Sequence, residues 1–89
     1  MTPDRIKAVQ RLEMAVLETI KETEPRGATA GVTYPALMAQ GVTQLQFDSL
    51  MNTLIMIGKA SIDESFCYHI TAAGEQLLEV LKEKFPTAP

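Results

Sequence analysis

Apolar positions along the chain change their period after Gly58, and several local signals divide the part before it into helices. From residue 3 to 24 nothing interrupts helical character. Ile6, Val9, Val16 and Ile20 lie near one stripe, and Leu12 and Leu17 widen it. Pro3 and Asp4 suit a first helical turn. The spacing predicts a helix over 3–24, longer than one small core can cover. "EPRGATAGVT", 24–33, ends it, because Pro25 disfavours helical geometry at Glu24. The glycines and small residues that follow predict a mobile surface connector. "YPALMAQ", 34–40, predicts a short second helix with Thr33 or Tyr34 as cap, Pro35 in the first turn and Gly41 as the stop. Thr43 and Gln46 match a capping box, which starts a third helix over 43–57 with Gly58 at its end. Phe47, Leu50, Leu54 and Ile57 fall on one side of it and face the core.

Beyond Gly58 the period falls to two. Strands over 59–63 and 66–70 form a hairpin over 59–70 with a tight turn near Glu64 and Ser65. Phe66, Tyr68 and Ile70 alternate with Cys67 and His69, and Ile62 and Ile70 point inward. Thr71 caps a last helix over 72–85, whose Leu77, Leu78 and Leu81 reach toward Phe85. Gly74 lets that helix approach a neighbour closely, and the tail "PTAP" stops it and frays. Residues 1–89 make one domain, mainly α with a small β-hairpin.

Three helices, a hairpin and a closing helix in this order resemble the winged helix-turn-helix domains of MarR- and PadR-like bacterial transcriptional regulators. The likeness is carried by "YPALMAQGVTQLQFDSLMNTLIMIGKASIDESFCYHITAAGEQLL", 34–78. Within it, "LIMIGKASI" is similar to the end of the family's third helix running into the first wing strand. "YHITAAGEQLL" is similar to its Y-x-L-T-x-x-G-x-x-L-L ending. The resemblance implies a winged helix-turn-helix with a three-helix core, two-stranded wing and C-terminal helix, which binds double-stranded DNA as a homodimer. The third helix would then enter the major groove with the side opposite its core residues. Gln44, Ser49 and Asn52 are the candidate base contacts, and Arg5, Lys7, Arg11 and Lys59 the candidate phosphate contacts. The first and last helices carry more apolar residues than a small core needs. Met14, Leu17, Val80, Leu81 and Phe85 are therefore the candidate dimer interface.

Charge changes this picture. The formal net charge is −3, whereas phosphate binding usually leaves a basic footprint. No arginine stands on the third helix, Asp48 sits in its middle, and the hairpin tip is Asp63, Glu64, Ser65. Carboxylates brought to a phosphate backbone repel it. The alternative is a winged-helix module that binds a protein and no DNA, using Leu45, Asp48 and Met56, since apolar residues with few charges mark the centre of protein interfaces. Cys67, the single cysteine, cannot form an intrachain disulfide, which favours a reducing, cytoplasmic setting. No apolar run reaches the roughly 20 residues of a membrane helix, and the N-terminus lacks a signal's apolar segment. Cys67 and His69 supply too few ligands for a metal and are poorly placed as a nucleophile and base. The expectation is no catalytic residue, no metal and no cofactor.

Overall fold

The computed structural model describes residues 3–85. Its elements are α1 (Pro3–Thr23), α2 (Ala30–Met38), α3 (Gln44–Met56), β1 (Ala60–Ile62), β2 (Tyr68–Ile70) and α4 (Ala72–Lys84), with β1 and β2 antiparallel. The tail 86–89, expected to stop the last helix and fray, lies outside the described residues.

Local chemistry sets the best-defined boundaries. The Gln46 amide donates to Thr43 Oγ1 at 3.2 Å, while Gln46 Oε1 accepts from the Thr43 amide at 2.9 Å, so the capping box forms as expected. α3 ends where Gly58 adopts φ +77°, with the Lys59 amide on the Leu54 carbonyl (2.9 Å) and the Gly58 amide on that of Ile55 (3.1 Å). Gly41, at φ +84°, closes α2 in the same way through Val42 to Leu37 (3.3 Å) and Gly41 to Met38 (3.0 Å). In this motif the left-handed residue folds the chain back over the last turn and satisfies its free carbonyls. Thr71 caps α4: its Oγ1 accepts from the Gly74 amide at 3.0 Å and donates to the Gly58 carbonyl at 2.6 Å, tying α4 to the end of α3.

Several boundaries and placements differ from those the sequence predicts. α2 begins at Ala30, not at residue 34, with Thr29 in the N-cap position. Thr33 does not cap; it is buried inside the helix and its hydroxyl donates to the Thr29 carbonyl at 2.8 Å. Pro35 therefore sits in the second turn, where it removes the bond to Gly31. The segment after α1 is built into the fold rather than a mobile connector. Ala28 is buried and pairs with Tyr68 through amide–carbonyl bonds of 2.9 and 2.6 Å, which adds a bridge to the hairpin's outer edge. The strands are three residues each, pairing Ala60 with Ile70, Ser61 with His69 and Ile62 with Tyr68. Phe66 belongs to the turn, and Ile62 is largely exposed rather than pointing inward.

The core has two parts. Val16 and Ile20 of α1 meet Leu37, Val42, Phe47, Met51, Leu54, Ala28 and Ala60. Leu17 meets Leu78 and Leu81 of α4, flanked by Met14, Leu77 and Phe85, with Ile70 packed against both parts. On α3 the third buried residue is Met51, while Ile57, expected inside, is 53% exposed at the C-cap. Leu17 and Leu81 are buried within the single chain, so they do not form the surface through which a second copy would dock. α1 is long enough that its first half carries Ile6 and Val9 beyond the core, both exposed.

Candidate functional site

Burying Phe47, Met51 and Leu54 orients α3 so that its opposite side faces outward. Gln44, Leu45, Asp48, Ser49, Asn52 and Met56 are all exposed there. Leu45 is 77% and Met56 85% exposed, so the two most exposed large apolar side chains of α3 bracket Asp48, Ser49 and Asn52. The helix holds no lysine or arginine. Ser49 offers its carbonyl to the Thr53 hydroxyl at 2.9 Å, an ordinary within-helix bond.

The candidate phosphate contacts do not gather into one patch. Arg5 lines a groove of about 770 Å³ between α1 and α3, together with Val9, Leu12, Leu45, Ser49 and Leu50. Lys7, two residues on, points about 200° away around the helix, and Arg11 shares its side. The Arg11 guanidinium lies 5.0 Å from the centre of the Phe85 ring, a cation–π contact. Lys59 is half-buried before β1, on the side where its carbonyl meets α4. Glu13 also lines the groove, and burial pushes its carboxyl above the usual range. Of the candidate dimer residues, Val80 is exposed, and Met14 and Phe85 edge a second depression of about 550 Å³ beside Arg11 and Lys84.

The hairpin turn is organised by one carboxylate. Asp63 Oδ1 accepts from the amides of Ser65 (2.8 Å) and Cys67 (3.0 Å), and the Asp63 carbonyl accepts from the Phe66 amide (3.0 Å). This places Phe66 at φ +61° with its ring 77% exposed. A bulky side chain in the left-handed region is uncommon and costs about 1–2 kcal/mol. Glycine tolerates that geometry but has more unfolded-state freedom to lose. Phe66→Gly is therefore expected to raise stability by roughly 0.5–1 kcal/mol in a urea titration. A loss instead would mean that the ring packs in the fold.

Behind the turn stands a contact that no local reading could find. The His69 ring bonds Glu24 Oε1 through Nδ1 at 2.7 Å and Asp63 Oδ2 through Nε2 at 2.8 Å. The ring covers Gly27, where a Cβ would stand 2.7 Å from its Cε1. Glu24 is 45 residues from His69 in the chain, and the connector that brings it there was expected to be mobile. Among the described residues no group of three or more His, Cys, Asp or Glu is arranged to hold a metal ion. Cys67, the other residue weighed as a ligand, turns its Sγ toward the Ser65 carbonyl at 3.9 Å. No helix of the described residues is long and apolar enough to cross a membrane.

Fold and surface together define a mainly helical domain with a short antiparallel hairpin and an outward helix face that is apolar at both ends and free of cations. Comparison with protein-family models, with curated proteins and with solved structures returned no match.

Proposed function

We propose that the chain is a winged helix-turn-helix module that binds a protein partner through the outward face of α3 and the hairpin turn. The observation that carries this reading is the exposure of Leu45 and Met56 at the two ends of a face whose only charge is Asp48. Apolar side chains left open to water on a helix gain by docking into a partner, and charge depletion is typical of an interface centre. The turn adds the exposed ring of Phe66, two residues after the exposed Glu64, which suits a partner with a basic group beside an apolar recess.

Met56→Asp is the sharper variant. It lies on exposed surface, so the unfolding free energy is expected to change by no more than about 0.5 kcal/mol. Partner affinity is expected to fall by about 2 kcal/mol or more, roughly thirtyfold, if Met56 is an anchor. Cross-linking capture by the wild-type chain, lost with Met56→Asp and with Leu45→Asp at unchanged melting temperature, is the supporting result.

A second reading, a homodimeric DNA-binding regulator, rests on the exposure of Gln44, Ser49 and Asn52 on that same face. It requires duplex binding that weakens steeply with salt and with Lys7→Glu and Arg11→Glu. It also requires a particle of twice 9.8 kDa in light scattering. Both results together would replace the first reading.

A further inference from the structure

His69 belongs to β2, but its ring partners come from elsewhere: Glu24 follows α1, and Asp63 opens the hairpin turn. Carboxylates only accept, so bonds of 2.7 and 2.8 Å at both nitrogens require a proton on each. Neutral imidazole has one N–H. Losing the other proton leaves a nitrogen lone pair facing a carboxylate, and one of the two contacts must open. Asp63 is committed on its other oxygen to the amides of Ser65 and Cys67, so the carboxylate that shapes the turn is the one the ring holds in place.

We propose that His69 is a protonation-dependent latch, which as imidazolium fastens the hairpin turn to the end of α1 and on losing its proton releases the turn. The device acts within the chain, whatever the hairpin contacts.

The groups that face the ring are Glu24 and Asp63. Cys67 borders the same Gly27 that the ring covers. Arg26 is exposed beside that glycine, Glu64 is exposed in the turn, and α1, packed on β2, ends with Lys21 and Glu22 exposed. Burial first, and the Asp48 charge second, hold the neighbouring Tyr68 hydroxyl above its usual range.

The hydrogen bond to Asp63 first, and that to Glu24 second, keep the imidazole protonated above its ordinary value of 6.5. Asp63 is held below its ordinary 3.8, chiefly by the same bond and then by the Cys67 amide. A group whose pKa rises on folding stabilises the fold fully below its unfolded value and loses that contribution as pH climbs through the folded one. For a lowered carboxylate the contribution is present above its unfolded value and is lost as pH falls through the folded one. The latch is therefore closed between the two and opens on the alkaline side through His69 and on the acid side through Asp63.

Nuclear magnetic resonance of the intact chain tests this, following the His69 ring protons together with the amides of Ser65, Phe66 and Cys67. The ring is expected to titrate above 6.5. The amide resonances are expected to move with the same midpoint, and Ser65 and Cys67 to lose hydrogen-exchange protection beyond it. Glu24→Gln and Asp63→Asn each keep an accepting oxygen but remove the charge, and both are expected to lower that midpoint. His69→Gln is expected to remove the transition in the amides. A ring that titrates at or below 6.5, or turn amides that do not respond when it titrates, would overturn the latch. Because the two carboxamide variants leave every backbone bond of the turn available, the test stands even if His69→Gln does not fold.

Discussion

Phe47→Ala is expected to lower the unfolding free energy by about 3–5 kcal/mol, the largest effect of any single truncation considered for this chain. The Phe47 side chain is fully buried where α2, α3 and β2 meet. Its ring centre lies 5.3 Å from that of Tyr34 at 43° and 6.3 Å from that of Tyr68 at 75°. Truncation removes the apolar burial and both aromatic contacts, and the surrounding helices close the cavity only in part. A domain of this length has a total stability of about 4–13 kcal/mol, so much of it depends on one side chain. Urea titration followed by circular dichroism reads the effect. Leu45→Ala, two residues earlier on the exposed side, is the control and is expected to change stability by no more than about 0.5 kcal/mol. Equal losses at the two positions would mean that the assignment of the two sides of α3 is wrong.

Gly74→Ala separates local propensity from tertiary contact, because the two predict opposite signs. Alanine inside a helix is favoured over glycine by about 1 kcal/mol. Gly74, however, is buried where α4 crosses the chain entering the hairpin. A Cβ there would overlap the Lys59 carbonyl oxygen and stand 2.9 Å from Ile70 Cγ1. The carbonyl is backbone, held by the Thr71 amide at 3.3 Å, and cannot swing aside as a flexible side chain would. The expected result is a loss of about 2–3 kcal/mol in the same titration. Gly31→Ala in α2 is the matched control. Its nearest neighbour would be Thr29 Oγ1 at 3.7 Å, an ordinary contact, so a gain of about 0.5–1 kcal/mol is expected. If both substitutions stabilise, α4 does not approach the hairpin as closely as described.

The starts of α3 and α4 and the end of α3 were legible because each is written within four residues. Thr43 with Gln46, Thr71 with Gly74, and Gly58 satisfy free helix ends by bonds between near neighbours. The start of α2 was misplaced because Thr33 has two uses for its hydroxyl, capping or bonding back to Thr29, and burial favours the second. Alternation placed Phe66 in a strand. The turn built on Asp63 overrode that period, since side-chain bonds to two amides fix the backbone more strongly than a single exposed apolar position can. Among the candidate contacts, the outward face of α3 followed from helical spacing and from the burial of Phe47 and Leu54. The apolar surplus on α1 and α4 predicts a surface for a second copy, yet Leu17 and Leu81 are satisfied by each other's helices within one chain.

The sequence by itself determined where the described helices lie to within a few residues, that a hairpin follows the third, and that the outward side of that helix carries Leu45 and Met56 and no cation. These features depend on period and on bonds between near neighbours, which a linear reading contains. Only the tertiary structure decided that the segment after α1 pairs with β2, that Met51 is buried while Ile57 is exposed, and that Arg11 rests on Phe85. It alone joined Glu24, His69 and Asp63 into one contact. Each of these is a meeting of residues distant along the chain or a choice between neighbouring apolar positions. Such outcomes are fixed by packing against other elements, which no local pattern records.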